Sequence, residues 1–483
     1  MRWSGPSVAM AAVLAAVLSG CAALGLREAT APRPVPPAPQ TAASLASPEL
    51  PPRVRPAVPG LELEPGATFT LGEVVDIALS TSPATRQAWL QARAAAAQAG
   101  AKRAAFLPRV ELSASGVRGQ QSPDGREVSP ASSWGPAVTL SYLLLDFGGR
   151  AAGASEARHG LLAADWSHEA AIQNLVLAVQ ETYFAYQNAK AQSEAARVAV
   201  RQAETALEVA TGRHDAGVAT IADVLQARTA LSQARFNLAG AEGSVLTLRG
   251  ALATAMGLPA DLPFDIGDLS GEPPLDAVAN EVEPLILEAL RRRPDLNASR
   301  ELAAKAEARR RAVRSEGLPT VSVAATAGRA FYDPAPFARD RDNWSARLLV
   351  SYPLFSGYEN ACNLQKASEE AAAARAGSEG LEQQVVFQVW SAYYRLRTAA
   401  EQVRAARDLV LSAERSDQVA LGRYKEGVGT ILDLLTAETA LARARAQEIQ
   451  ARADFFVAAA RLAHAVGAAT VADTALVTEK RQP

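Results

Sequence analysis

Two periodicities succeed each other along the chain, and the succession occurs twice. Alanine-rich segments from Pro83 to Phe106 and from Pro294 to Gly317 read as helices stopped by Pro108 and Pro319. Proline lacks an amide donor and clashes with the preceding turn. The period then shortens to two. In the second instance Trp344, Ala346, Leu348, Val350, Tyr352 and Leu354 share one strand face, opposite Ser345, Arg347, Leu349 and Ser351. In the first, Val138, Leu140, Tyr142 and Leu144 oppose Ala137, Thr139, Ser141 and Leu143. Shorter alternations at 110–117 and 321–328 lie upstream, across polar loops at 118–133 and 329–343. The pattern predicts one β-hairpin in each instance, at about 109–146 and 320–356. Proline-free helical runs follow, about 149–211 and 357–421. At about 1.5 Å per residue, roughly 60 residues reach about 90 Å, several times the width of a small domain.

Both long runs end in the same turn. Gly212–Leu231 reads GRHDAGVATIADVLQARTAL and Gly422–Leu441 reads GRYKEGVGTILDLLTAETAL, at a constant offset of 210. The repeat extends outward: Ala78-Leu79 and Pro83 answer to Ala289-Leu290 and Pro294, Leu107-Pro108 to Leu318-Pro319, and Tyr183 to Tyr393. A period this long marks a duplicated half-protein rather than a solenoid, with the halves related by a pseudo-twofold. Within the turns, about 212–220 and 422–430, Gly217 and Gly427 suit a left-handed residue closing a helix. Thr220 and Thr430 suit the N-cap of a return helix, with Asp223 and Asp433 three residues on as capping partners. Val218 and Val428 sit at the apex, where the flanking helices cannot bury them.

The net charge of −2 provides no basic field for nucleic acid, so no nucleic-acid partner is expected. Arg2 precedes an apolar run from Val8 to Leu18, too short to span a bilayer and ending in small residues, the pattern of an export signal. Leu18-Ser19-Gly20-Cys21 resembles the bacterial lipoprotein signal, which makes Cys21 the acylated first residue of the mature chain. Cys362 is then left without a disulfide partner. Ten prolines between Pro32 and Pro59 imply an extended tether. The domain plan is therefore a signal peptide at 1–20, a lipidated Pro-rich tether at 21–65, a first repeat at 66–257, a connecting segment at 258–284, a second repeat at 285–467 and a tail at 468–483, the connecting segment and tail forming a belt around the middle.

Strands of about ten residues with one apolar face and aromatics near their ends suit a membrane barrel. Four strands cannot close, and an open edge in lipid leaves amides unpaired. Several chains must contribute; three give twelve strands, whereas two give a barrel filled by its own side chains. With the duplicated tip, the Leu-Pro junctions and the exits Leu145-Asp146-Phe147-Gly148 and Leu354-Phe355-Ser356-Gly357, the chain resembles the TolC-type outer-membrane factor family, particularly its lipid-anchored OprM-like and NodT-like branch. The resemblance covers about Leu61 to Gly467. It implies a mainly α protein with a β-barrel portion: a homotrimer whose twelve-stranded outer-membrane barrel continues into a helical periplasmic tunnel. It further implies an exit duct that opens when a periplasmic adaptor and an inner-membrane pump dock, with no cofactor beyond the covalent lipid.

Nothing in the sequence points to catalysis. His159, His168, His214 and His464 are scattered, and there is no phosphate-cradling Gly-rich loop or nucleophile elbow. The competing reading is a lipidated periplasmic coiled-coil adaptor, disfavoured by the paired hairpins. For the tips, capping alone accounts for Thr220, Thr430, Asp223 and Asp433. The resemblance adds gate roles for Asp223, Asp433 and Tyr424, while Gly429 and Thr436 depart from the family's charged positions. Gly217, Val218 and Thr220, with Gly427, Val428 and Thr430, are the candidate adaptor-docking edge.

Overall fold

The computed structural model describes residues 68–120, 131–267, 272–275, 281–333 and 341–468. The export segment, Cys21, the tether and residues 469–483 of the tail lie outside the described residues. The first repeat comprises β1 (Thr68–Phe69), α1 (Leu71–Thr81), α2 (Pro83–Arg103), β2 (Arg109–Gly119), β3 (Ala131–Leu145), α3 (Gly149–Asp215) and α4 (Ile221–Ala255). After β4 (Asp265–Ile266), the second comprises α5 (Glu283–Arg292), α6 (Pro294–Glu316), β5 (Thr320–Asp333), β6 (Arg341–Ser351), α7 (Glu359–Lys425) and α8 (Ile431–Val466).

Local chemistry sets most boundaries. Thr70 opens α1 with a capping box: its amide donates to Glu73 Oε2 at 2.8 Å, and the Glu73 amide donates to Thr70 Oγ1 at 3.4 Å. α2 and α6 each begin on proline, which needs no amide partner in the first turn. At the strand-to-helix exit of the first repeat, Phe147 (φ 50°) and Gly148 (φ 94°) are left-handed, and Asp146 accepts from the Arg150 amide at 2.6 Å. α3 and α7 are each 67 residues long, about 100 Å at 1.5 Å per residue.

Alanine dominates the buried positions of these helices, including Ala203, Ala206 and Ala210 on α3 and Ala399, Ala400 and Ala406 on α7. Small side chains let neighbouring helix axes approach closely. The largest apolar cluster lies where α1, α3, α4, α7 and α8 meet, around Val74, Val179, Phe184, Leu252, Val403 and Phe456. There the Phe184 and Phe456 rings stack at 5.2 Å. β1 and β4 pair in parallel beside this cluster. Lys190 anchors β4 by donating to Asp265 Oδ1 and the Ile266 carbonyl, both at 2.9 Å.

The two long hairpins share one register. Arg235 meets Glu204 across α3 and α4 at 2.9 Å, and Arg445 meets Glu414 across α7 and α8 at 2.9 Å. Each residue of the second pair lies 210 after its counterpart in the first. Such partly exposed pairs contribute little energy, but they mark the matched packing.

The strands form one four-stranded sheet in the order β2-β3-β5-β6, with antiparallel neighbours throughout. The two hairpins are joined by β3 against β5, leaving β2 and β6 as edges. Because paired residues share a face, register places Val110, Leu112, Val138, Leu140, Tyr142, Val323, Trp344 and Leu348 on one side. Glu111, Ser113, Thr139, Ser141, Thr326, Ser345 and Arg347 occupy the other. At the end away from the helices, Trp134 stacks on Phe331 at 4.4 Å. Beside it, a Cβ on Gly135 would lie 1.8 Å from the Arg329 carbonyl oxygen, so only glycine fits.

Several boundaries differ from the sequence expectation: β3 begins at Ala131, β5 runs on to Asp333 and β6 begins at Arg341, all inside segments expected to be loops. The second hairpin ends at Ser351 rather than near 356, because Pro353 has no amide to extend the ladder; Tyr352 and Leu354 fall in the exit turn. The long helices continue through Gly212 and Gly422 to Asp215 and Lys425, so the turns occupy 216–220 and 426–430. Glycine inside a helix costs about 1 kcal/mol, too little to end one so long.

Candidate functional site at the hairpin tips

The two tips are built alike. At the first, Gly217 adopts φ 74°, its amide donates to the His214 carbonyl at 2.8 Å, and the Val218 amide donates to the Arg213 carbonyl at 2.9 Å. At the second, Gly427 adopts φ 79°, with Gly427 donating to Tyr424 at 3.2 Å and Val428 to Arg423 at 3.0 Å. These bonds satisfy the last carbonyls of each long helix. The apex side chains stay in solvent: Val218 is 63% exposed and Val428 68%.

The caps are present but unequal. Thr430 and Asp433 form a full box: the Asp433 amide donates to Thr430 Oγ1 at 3.2 Å, and the Thr430 amide and hydroxyl donate to Asp433 Oδ2 at 3.1 and 2.8 Å. These bonds, from the hydroxyl above all, hold the exposed Asp433 carboxyl below its usual range, and Arg423 adds to the effect. At the first tip Thr220 and Asp223 form the same box more loosely, the Thr220 amide donating to Asp223 Oδ2 at 3.2 Å. His214 Nδ1 adds a local bond to the Ala219 carbonyl at 3.1 Å.

Tyr424 is only 2% exposed. It packs among Ala206, Ala210, Ala227, Ile431 and Leu434, between the two helical hairpins of one chain. Its hydroxyl is buried with no hydrogen-bond partner among the described residues. Burial raises the phenol's pKa, the Asp223 charge adds to this, and Arg213 opposes it.

Arg213 is the residue that sequence reasoning missed. From the end of α3 its guanidinium lies 4.9 Å from the centre of the Tyr424 ring. Its Nη1 donates to the Tyr424 carbonyl at 2.7 Å and the Lys425 carbonyl at 3.3 Å. The side chain of one tip thereby caps the helix of the other. Its repeat counterpart, Arg423, stays at home, donating to the Val428 carbonyl at 3.5 Å within its own turn.

A second feature lies within the α7–α8 hairpin. Burial, with the Asp417 charge adding, pushes the Glu438 carboxyl up to about 7. Asp417 is also raised by burial, opposed by Arg445, and its Oδ1 is buried without a hydrogen-bond partner among the described residues. The corresponding residues of the first hairpin are Leu207 and Arg228.

Among the described residues no group of His, Cys, Asp and Glu is arranged to hold a metal. The histidines stand apart: His159 meets Glu301 at 2.7 Å and His464 meets Asn174 at 2.8 Å. No helix of the described residues is long and apolar enough to cross a membrane.

The family model for outer membrane efflux proteins matches residues 74–258 and 285–468, one segment for each repeat. The chain belongs to the outer membrane efflux protein family. Protein CyaE of Bordetella pertussis is 29% identical over 405 residues, covering 83% of this chain and 84% of that protein. Outer membrane protein OprJ of Pseudomonas aeruginosa is 27% identical over 383 residues, covering 76% and 78%. Among solved structures, a membrane protein from Pseudomonas aeruginosa aligns with a TM-score of 0.75 at 26% identity, covering 86% of this chain and 98% of that one. The outer membrane protein VceC of Vibrio cholerae aligns at 0.74 and 21%, covering 82% and 96%.

The fold is that of the trimeric outer-membrane channels, in which three four-stranded contributions close one twelve-stranded barrel. The protein is an outer-membrane efflux channel with a periplasmic helical tunnel. The open edges of β2 and β6 are thereby accounted for. The family is one of channels rather than enzymes, and the coiled-coil adaptor alternative gains support from neither the sheet nor the family match.

Proposed function

We propose that this chain is the passive exit duct of a tripartite efflux or secretion system, joined to its periplasmic adaptor through the hairpin tips. The observation that carries the docking assignment is the pair of exposed valines, Val218 and Val428, held at the apex of turns whose own hydrogen bonds are made by backbone and caps. An apolar side chain kept in solvent where folding does not require it suits a partner surface. Gly217, Thr220, Gly427 and Thr430 shape that edge. Asp223 and Asp433 are assigned to the aperture, where six carboxylates in a trimer attract cations. Tyr424, buried between the hairpins, supports the aperture from behind.

The valine and aspartate roles separate by mutation. Val218→Lys with Val428→Lys is expected to weaken adaptor cross-linking and transport while trimers persist; undiminished cross-linking rejects the docking edge. Asp223→Ala with Asp433→Ala is expected to lower cation preference in a planar bilayer while docking persists. A loss of thermal stability alone, with conductance and selectivity unchanged, leaves capping as the aspartates' whole role.

The same reading places a lipid on Cys21, resting on Leu18-Ser19-Gly20-Cys21. Cys21→Ser is expected to abolish fatty-acid incorporation, and labelling that persists rejects it. The barrel keeps the variant in the membrane, because a lipid chain and a closed barrel anchor independently.

A further inference from the structure

Where the helices give way to strands, the two repeats share a feature that neither the barrel nor the tips use. Arg103 and Arg314 each stand four residues before the Leu-Pro junctions Leu107-Pro108 and Leu318-Pro319. Both arginines are exposed, and so are the two leucines, at 41% and 36%. Lys102 is exposed beside Arg103. Among the described residues, none of these three cations has a side-chain hydrogen bond or ion pair. Other arginines nearby are engaged: Arg150 meets Asp146 at 3.3 Å, and Arg310 meets Glu307 at 2.6 Å.

The surroundings indicate what the free cations face. Arg314 and Arg311 line one wall of a groove of about 510 Å³, with Phe147 and Leu318 as its apolar part. Phe147 is 54% exposed. In the first repeat Phe106 and Leu107 are exposed at the corresponding helix-to-strand junction. The Arg150 guanidinium lies between the rings of Phe106 and Tyr142, 5.3 and 5.8 Å from their centres. Tyr142 belongs to the apolar face of the sheet. The level is thus continuous with the membrane-facing surface and lies on its helical, periplasmic side.

We propose that Arg103 and Arg314, with Lys102 and Arg311, form a basic girdle that binds the anionic phosphate headgroups of phospholipids in the periplasmic leaflet. The proposal goes beyond the channel's conduction role and rests on the barrel reading only for the position of the membrane. Three features fit a lipid occupant. Arg103 and Arg314, unpaired among the described residues, complement a phosphodiester, adjacent exposed leucine and phenylalanine complement acyl chains, and the arginine and leucine recur in both repeats, giving six arginine positions around a trimer. The rival explanation is that cations near a helix C-terminus only complement the helix dipole.

The test uses the full-length trimer in nanodiscs made from phosphatidylcholine with a minor fraction of phosphatidylglycerol, with lipid retained on extraction counted by native mass spectrometry. The native protein is expected to retain phosphatidylglycerol over phosphatidylcholine by about fivefold or more, as expected for a cation near an anionic surface. Arg103→Gln with Arg314→Gln should bring that ratio near one, and the lysine pair Arg103→Lys with Arg314→Lys should restore most of it. If the glutamine variant is less stable in both lipids with the ratio unchanged, the cations serve the helix ends alone and the proposal fails. A changed ion selectivity in planar bilayers with the ratio unchanged would place the arginines in the tunnel and also overturn it. Should the glutamine pair not assemble, the native trimer still decides: raising salt from about 50 to 500 mM should erode the preference, and a salt-independent preference contradicts the girdle.

Discussion

The two tips share the same glycine, valine, threonine and aspartate pattern, yet they hold different positions in the structure. Arg213 leaves the first tip to cap the α7 helix of the second, whereas Arg423 remains within its own turn. The caps differ in degree, both being boxes but only the Thr430–Asp433 one holding a hydroxyl–carboxylate bond at 2.8 Å. A duplication supplies matching local turns, but a contact between the halves has only one instance within a chain. It therefore frees one copy of each residue for another use. The α7–α8 hairpin shows the same divergence in its interior, where Asp417 and Glu438 replace Leu207 and Arg228.

Breaking the cross-tip contact should have the largest effect. Arg213→Ala removes two charge-assisted hydrogen bonds, both from Nη1, to helix-end carbonyls and the cation from Tyr424, a loss of about 1–3 kcal/mol in local stability. Arg423→Ala should stay within about 0.5 kcal/mol, as for a surface substitution. Hydrogen exchange of the backbone amides at 420–434 reports both; equal opening in the two variants would erase the distinction between the tips.

Titration should reveal the next difference. The folded α7–α8 hairpin keeps a proton on Glu438 up to about pH 7, while an unfolded glutamate releases it near 4.5. The folded state binds more protons in that window, so this group's contribution is present below about 4.5 and lost as pH rises to about 7. The α7–α8 hairpin should exchange faster at pH 8 than a base-catalysed control predicts, and the α3–α4 hairpin should not. Glu438→Gln should remove the excess. An excess that persists in the variant assigns the pH response to other groups.

The smallest effect separates the caps. Thr430→Ala should cost about 1 kcal/mol, and Thr220→Ala less, because its box is looser. Thermal melts of the trimer at fixed detergent and salt compare them; a larger loss at Thr220 would reverse the ranking.

What the sequence makes legible follows from range. Gly217, Thr220, Gly427, Thr430 and their aspartates act within a few residues, so turn and capping rules identify them. Strand faces are equally local, since alternation alone sorts Leu140 and Leu348 from Thr139 and Arg347. The joining of the hairpins through β3 and β5, the burial of Tyr424 and the reach of Arg213 depend on packing between segments far apart in the chain, which no local rule encodes. A signal for the half-buried carboxyls was nevertheless present. The aligned repeats place Asp417 and Glu438 opposite a leucine and an arginine, and a charge gained or reversed between matched positions marks a divergent environment.

The central claim is that one chain's sheet is a third of a barrel, with β2 of each chain pairing with β6 of the next. Alternation along the sheet makes that pairing antiparallel. The direct measurement is a cysteine scan in a Cys362→Ser background, with one cysteine placed along β2 at positions such as Ser113 and one along β6 at positions such as Ser345, followed by oxidation in native outer membranes. The account predicts that a matched pair yields a covalently closed trimer on a denaturing gel, while each single cysteine yields monomer. Cross-links that form only within one chain, or that stop at dimers throughout the scan, would contradict it.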